Sequence, residues 1–333
     1  MVGCYKGNIM KKLLFVDFIH HYGGAQKSTV EMISRLKKCN YEVEVVDFVG
    51  NKKFRADIES IGVKFHTIGI NCNFRANTLP VFLLSYCKCL IFFYKVYRRL
   101  KPDYIWTNSY KTSIIFFLLR QLVVCDILYF FRGVQLDYNY SLIQKIVYNC
   151  TFDKILVQSN KIKKYIKSQG IKLKICVVPN VLSNSFIEKK YIKIYDDSDA
   201  NIIKLVFVGT LLKTKGITEL FESLNSIVNI DKVNNIRLSL AGEFLDMMYK
   251  KKIEKYIEAN KISNYVLFLG WVEDVGSLIY NSDILVLPSY AEGIPRVVME
   301  AMSLGKCVVV SDVGGVSDVV STYENGILIP PKN

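Results

Sequence analysis

The chain has 333 residues, 51% of them apolar, enough for two real cores and too apolar for a disordered polymer. Its net charge of +14 is uneven: residues 1–180 hold 28 Lys and Arg against 11 Asp and Glu, residues 181–333 hold 16 against 19. The first half therefore suits an anionic partner such as nucleic acid, a membrane surface or phosphorylated lipid, unless an AT-rich genome has simply inflated Lys, and nine scattered cysteines without a CxxC pair exclude a zinc ribbon and fit reduced thiols in cytoplasm.

Residues 1–9 lack the apolar core of a signal peptide and read as a start-site extension or a leader of no catalytic importance. From Met10 onward, short apolar runs alternate with helical patterns, which is the mark of parallel α/β layers. The runs predict strands at Lys12–Phe18, Glu42–Phe48, Lys64–Ile68, Tyr104–Thr107, Ile127–Phe131, Lys154–Gln158 and Lys174–Val178, with helices at Ala25–Lys37, Leu79–Leu100 and Asn160–Ser168. Leu79 to Tyr97 is the one membrane-like stretch. Lys88 and Lys95 interrupt it, whereas a spanning helix needs about 20 predominantly apolar residues. It reads as a long helix of the first domain, with a place in the membrane interface as the alternative.

Asn184–Ala200 breaks the rhythm with a polar stretch, and strands resume at Ile203–Gly209, Ile236–Gly242, Val266–Gly270, Ile284–Leu287, Val308–Ser311 and Ile327–Ile329. The expected organisation is an N-terminal Rossmann-like domain over residues 1–182, a linker over 183–202 and a second Rossmann-like domain over 203–333. Each is a doubly wound α/β sheet. Asp197 and Asp199 lie in the polar stretch rather than at a strand end. With only three histidines in the chain, no metal site is expected.

Three segments carry chemistry. His20–Ala25 follows the first strand and opens a helix; Gly23 and Gly24 there would let backbone approach a ligand, although a tight turn explains them equally well. Phe207–Gly216 is again a strand end, a loop and a helix start, where Lys215 can neutralise a diphosphate or stand as a solvated loop lysine. Ser289–Gly305 is the most informative. Glu292 sits in a strand-to-helix loop, Pro295 suits the first helical turn, and Glu300 falls about a turn and a half into the helix. Ligands of open α/β sheets bind at the carboxyl ends of strands, and a carboxylate accepts from two hydroxyls at once, so the layout suits a polyhydroxylated ligand.

Taken in order, Gly23-Gly24, Lys101-Pro102-Asp103, Val178-Pro179-Asn180, Gly209 with Lys215-Gly216, Ala241-Gly242-Glu243, Gly270-Trp271, Glu292-Gly293, Glu300-Ala301, Gly305 and Gly314-Gly315 resemble the retaining glycosyltransferases of family 4. The resemblance spans nearly the whole chain. It implies the GT-B architecture, two Rossmann-like domains facing a central cleft, and metal-independent transfer of a sugar from a UDP- or GDP-linked donor, with no cofactor. By analogy Glu300 would hold the ribose hydroxyls and Glu292 the donor sugar, helped by backbone at Gly293, Ile294 and Pro295. Lys215 would stabilise the diphosphate leaving group. Gly23 and Gly24 would approach the donor phosphates, and backbone at Gly209, Thr210, Gly270 and Trp271 would line the nucleotide site. The acceptor would be a glycan or polyprenyl-phosphate-linked sugar of the cell surface, met in the cytoplasm or at the inner membrane face. An anionic membrane surface would then be a further partner.

Three departures from the family pattern stand out. Thr210 replaces a frequent Arg, for which Arg296 could substitute. Arg132 occupies the place of a frequent His; it could meet donor phosphate or sugar but cannot act as a neutral proton acceptor. The chain stops at Pro331-Lys332-Asn333, where relatives usually continue with final helices, so those helices are expected to be lacking. Nucleotide-sugar 2-epimerases share the architecture, and a donor-binding relic without transfer is a further alternative. Nucleic acid explains the charge but not Glu292 and Glu300, which would repel phosphates.

Overall fold

The computed structural model describes residues 10–70, 79–132, 139–194 and 201–331. The leader, Gly133, the Asp197–Asp199 pair and the last two residues lie outside the described residues.

The first part of the chain alternates β1 (Lys11–Asp17), α1 (Gly24–Lys38), β2 (Tyr41–Asp47), α2 (Lys52–Ser60), β3 (Lys64–His66), α3 (Leu79–Leu100), β4 (Tyr104–Thr107), α4 (Tyr110–Leu119), β5 (Asp126–Phe131), α5 (Leu142–Thr151), β6 (Lys154–Val157), α6 (Asn160–Ser168) and β7 (Lys174–Val177). The second part runs α7 (Asn184–Glu188), β8 (Ile203–Val208), α8 (Ile217–Asn225), β9 (Ile236–Ala241), α9 (Met247–Ala259), β10 (Val266–Gly270), α10 (Val275–Tyr280), β11 (Ile284–Leu287), α11 (Arg296–Ser303), β12 (Cys307–Ser311) and β13 (Ile327–Ile329). All the anticipated strands are present, in two parallel sheets ordered β3-β2-β1-β4-β5-β6-β7 and β10-β9-β8-β11-β12-β13.

The continuous apolar runs are the physical reason. A parallel strand covered by helices on both faces must be apolar at every position rather than at alternate ones. Leu13 to Val16 and Val43, Val45 and Val46 are accordingly buried along β1 and β2. The first core centres on Phe15, which meets Trp106 edge-on at 4.9 Å between ring centroids. The second gathers Val206, Phe207, Phe221, Leu238, Leu285 and Val308.

Contacts divide the chain into two compact units. Among the described residues one reaches Val181, less Ser159–Ile162; the other takes that stretch and the chain from Leu182 on. The stretch expected as a linker is docked over its described part. Ser183 caps α7, Lys189 pairs with Asp274 at 2.5 Å, and the Ile194 amide donates to Asn281. Tyr191 lies so close to Gly276 of α10 that any Cβ there would strike its ring. Polar composition disguised this packing, because its anchors are hydrogen bonds and one tyrosine.

Glu44, on β2, is the buried centre of a charged cluster, with His66 Nε2 at 2.8 Å, Arg99 Nη2 at 2.8 Å and Lys64 Nζ at 3.4 Å. It ties the C-terminal end of α3 to the sheet. Burial pushes its carboxyl up, but the hydrogen bond and charge of His66, with Arg99 and Lys64, outweigh burial and hold it below the ordinary value. Its stabilisation is therefore present above the ordinary glutamate pKa and is lost as pH falls through the depressed one. Glu44→Gln should lower stability by about 1–3 kcal/mol at neutral pH, as expected for a broken charged hydrogen-bond set. Urea midpoints should converge for the two proteins in acid, and a gap that persists there would show that the charge is not what matters.

Candidate active site

The second sheet reverses its winding between β8 and β11, since β8 pairs with β9 on one side and β11 on the other. Loops leaving these two strands diverge, and the crevice between them is where open α/β sheets take ligands. Lys215 follows β8 in the short helical turn Lys213–Lys215, and Glu292 follows β11. Their side chains meet across that crevice, Nζ to Oε1, at 2.5 Å. Both are partly shielded from solvent, which strengthens the pairing over that of an exposed ion pair.

Backbone contacts force this meeting. Gly216 is left-handed at φ 70°, and a Cβ on it would collide with the Pro288 carbonyl oxygen. The Tyr290 amide donates to Thr214 O at 2.9 Å, and the Tyr290 hydroxyl donates to Glu219 of α8. From the other side, Gly314 packs against the Glu292 carbonyl so closely that a Cβ would overlap it, and the Gly315 amide donates to Gly293 O at 2.7 Å. The Ile294 side chain is buried beneath. The turn carrying Glu292 is thus clamped between the loops after β8 and β12.

Pro295, expected inside the first turn of α11, stands one residue ahead of it in an extended conformation. The helix therefore begins at Arg296, and Glu300 falls about one turn in rather than a turn and a half. Arg296 and Glu300, four apart, share a face, with Nε to Oε1 at 2.6 Å and both side chains largely buried. Arg296, expected as a replacement cation for a diphosphate, directs its Nε to Glu300 instead. Thr210 continues from β8, where Leu211 pairs with the strand-end extension at Phe244. Gly209, Gly242 and Gly270 close the ends of β8, β9 and β10, and a Cβ on Gly242 would overlap the Gly209 carbonyl. This makes a floor free of side chains, beside which Trp271 is partly exposed.

The remaining expected site residues belong to the first unit. Gly23 precedes α1 at φ −165° and Gly24 is its first residue; neither would meet a collision as Ala. Backbone strain and steric collision do not account for this pair. Arg132, at the end of β5, lies 4.2 Å over the Phe130 ring and donates to Asn180 Oδ1 at 3.1 Å and Thr29 Oγ1 at 3.3 Å. Its buried Nε has no partner among the described residues. Burial lowers its pKa to about 10, against the pull of Asp17, so it remains charged.

Asp17 and Asp47 were not anticipated. They end β1 and β2 in register, and both belong to a Val-Asp-Phe triplet, Val16–Phe18 and Val46–Phe48, which is the signal that could have found them. Asp47 accepts from the amides of Ile19, Val49, Gly50 and Asn51 and so knits the two strand ends together. No three His, Cys, Asp or Glu side chains converge as metal ligands among the described residues.

Residues 193–333 match the family model described as glycosyl transferases group 1. The chain is 26% identical to the N,N'-diacetylbacillosaminyl-diphospho-undecaprenol alpha-1,3-N-acetylgalactosaminyltransferase of Campylobacter jejuni, across 96% of this chain and 86% of that one. It is 25% identical to the UDP-Gal:alpha-D-GlcNAc-diphosphoundecaprenol alpha-1,3-galactosyltransferase of Escherichia coli, across 74% and 67%. Among solved structures, HepE of Anabaena in complex with UDP and glucose shares the fold, with a TM-score of 0.76 at 20% identity over 96% of this chain and 86% of that one.

Burial raises the Asp17 carboxyl to about 7, aided by Asp47 and opposed by the Phe18 amide, Arg132 and Ser109. The folded protein then keeps a proton that the unfolded chain has lost. That stabilisation is complete below the ordinary aspartate pKa and is lost as pH rises through about 7. Asp17→Asn should flatten this dependence and raise stability above pH 7 by on the order of 2 kcal/mol. Chemical denaturation across the interval is the measurement, and an unchanged slope refutes the assignment.

Proposed function

We propose that the chain, whose residues 193–333 match the group 1 glycosyl transferases, moves a sugar from a nucleotide-sugar donor to a lipid-linked acceptor in glycan biosynthesis, with retention at the anomeric carbon and without a metal ion. The observation that carries this reading is the Lys215–Glu292 pair at the β8/β11 crevice, backed by Arg296–Glu300 on the adjoining helix.

Cleavage of a glycosyl–diphosphate bond gathers negative charge on the departing phosphate. A preorganised cation there lowers the barrier more than any contact that is equal in ground and transition states. Lys215 fills that role. Glu292 beside it accepts from sugar hydroxyls, so the two charges engage opposite sides of the bond that breaks. The Glu292 carboxylate is thus a sugar handle rather than half of a glycosidase pair, whose two carboxyl groups must flank the scissile bond.

Glu300 takes the ribose hydroxyls, with Arg296 keeping its carboxylate oriented, and the open space over Gly270 leaves room for the base. In the first unit, Gly23-Gly24 and Arg132 serve the phosphates or the acceptor. The Campylobacter jejuni and Escherichia coli relatives are named for diphospho-undecaprenol acceptors, and HepE was crystallised with UDP and glucose; these support a UDP-sugar donor and a polyprenyl-diphosphate acceptor. The work would then be done from the cytoplasm at the inner face of the membrane.

Thermal unfolding with UDP-, GDP- and other nucleotide sugars in metal-free buffer tests the reading directly. A ligand bound only to the folded state raises the midpoint by mass action. Lys215→Ala should lower kcat by on the order of 10²–10³-fold. Glu300→Ala should chiefly raise the donor KM. If no nucleotide sugar moves the midpoint, or Lys215→Ala turns over normally, the assignment fails.

A further inference from the structure

We propose that α3, α4 and α5 of the first unit form a docking face for an anionic lipid bilayer, with α4 seated at the headgroup–acyl boundary. The proposal rests on the reading that the acceptor is lipid-linked, and it names the surface that would bring the enzyme to it.

The main observation is α4. Its sequence from Ile114 to Leu119 is six consecutive large apolar residues, so it is apolar all round. Such a helix belongs in a deep core or in lipid. Here one side, with Thr112, Ile115 and Phe116, is buried, while Phe117 and Leu118 on the other are 42% and 58% exposed. α4 packs between α3 and α5. On α3, the buried stripe Cys89, Phe93, Val96 and Leu100 faces inward, and Leu84 and Ile91 are exposed. On α5, Leu142 and Ile143 are more than 70% exposed. Contiguous exposed apolar side chains on neighbouring helices mark an interaction surface.

Charge selects the occupant. The three helices and the short turn Arg120–Leu122 carry seven Lys and Arg and no Asp or Glu. Arg99 and Arg120 are held by Glu44 and Asp153, which leaves Lys88, Lys95, Arg98, Lys111 and Lys145 on these elements. Apolar residues rimmed by cations, with a tyrosine pair at Tyr94 and Tyr97 on α3, match an interface of acyl chains below anionic headgroups. No described helix is long and apolar enough to cross a membrane, so the contact is one of lying on the surface. The expectation placed this role on α3 alone; the structure shifts its centre to α4. That helix starts just beyond the carboxyl end of β4, and Lys111 in its first turn meets His20 at 3.2 Å. The apolar face therefore runs up to the edge where Gly23 and Arg132 lie, and an acceptor headgroup would arrive at that edge.

Flotation of the full chain with phosphatidylcholine vesicles, with and without phosphatidylglycerol, tests this. Binding should require the anionic lipid and weaken with salt. The Phe117→Glu/Leu118→Glu double variant should reduce partitioning by about tenfold or more, since each step removes apolar contact and adds charge repelled by the surface. Met248→Glu, at a still more exposed apolar site on the second unit, should float like the parent. Leu142→Glu/Ile143→Glu provides a second variant should the first misfold. An unbound parent, or variants that float normally, overturns the proposal. So does light scattering that finds a dimer abolished by these variants with no vesicle binding, because the face would then meet a second copy. Nucleotide-sugar shifts in the same samples keep the two readings apart: bilayer binding without any donor shift sinks the proposed activity and leaves the docking face standing.

Discussion

The ion pair between Lys215 and Glu292 is the interaction on which the second unit's chemistry depends, and it exists only because two backbones touch. A lysine and a glutamate 77 positions apart have no local reason to meet. They do so because β8 and β11 are neighbours at the point where the sheet reverses, and because Gly216 and Gly314 let the flanking loops close to atomic contact from both sides. An alanine at either glycine would push the Glu292 turn away from the lysine before it disturbed the core. The site is therefore more sensitive to backbone volume than to the identity of its polar neighbours.

The parallel fold was legible almost throughout. Parallel strands buried on both faces must be apolar without alternation, and that signal survives in β1, β8, β11 and β12 without any help from context. Glycine after a strand was legible too, but ambiguous. At Gly242 and Gly216 the fold itself demands it, whereas at Gly23 and Gly24 it does not. Only the surrounding fold separates the two cases, because a one-dimensional pattern cannot tell a glycine that admits another backbone from one that leaves room for a ligand.

What the sequence concealed lies in pairings, both within one helix and between strands. Arg296 reads as a substitute cation for the diphosphate, a reading that passes over its four-residue spacing from Glu300 on one helix face, a local rule. Asp17 and Asp47 were hidden differently. Each closes an apolar strand, and an acid there looks like the ordinary polar end of a strand. Only the in-register alignment of β1 and β2 makes them neighbours, and only the amides of the following loop account for Asp47 being buried.

The two charge asymmetries of the chain then acquire different origins. The second unit's acidic side chains are used singly, as Glu292, Glu300 and Glu219, each held by one partner at or near the crevice. The first unit's excess of cations is partly internal, since Glu44 alone engages Lys64 and Arg99, and Asp153 and Asp126 engage Arg120 and Lys154. Three adjoining helices that carry their cations without one carboxylate, around exposed phenylalanine and leucine, suit a physical partner that is both oily and negative. That combination separates a bilayer from nucleic acid, which offers the charge without the oil.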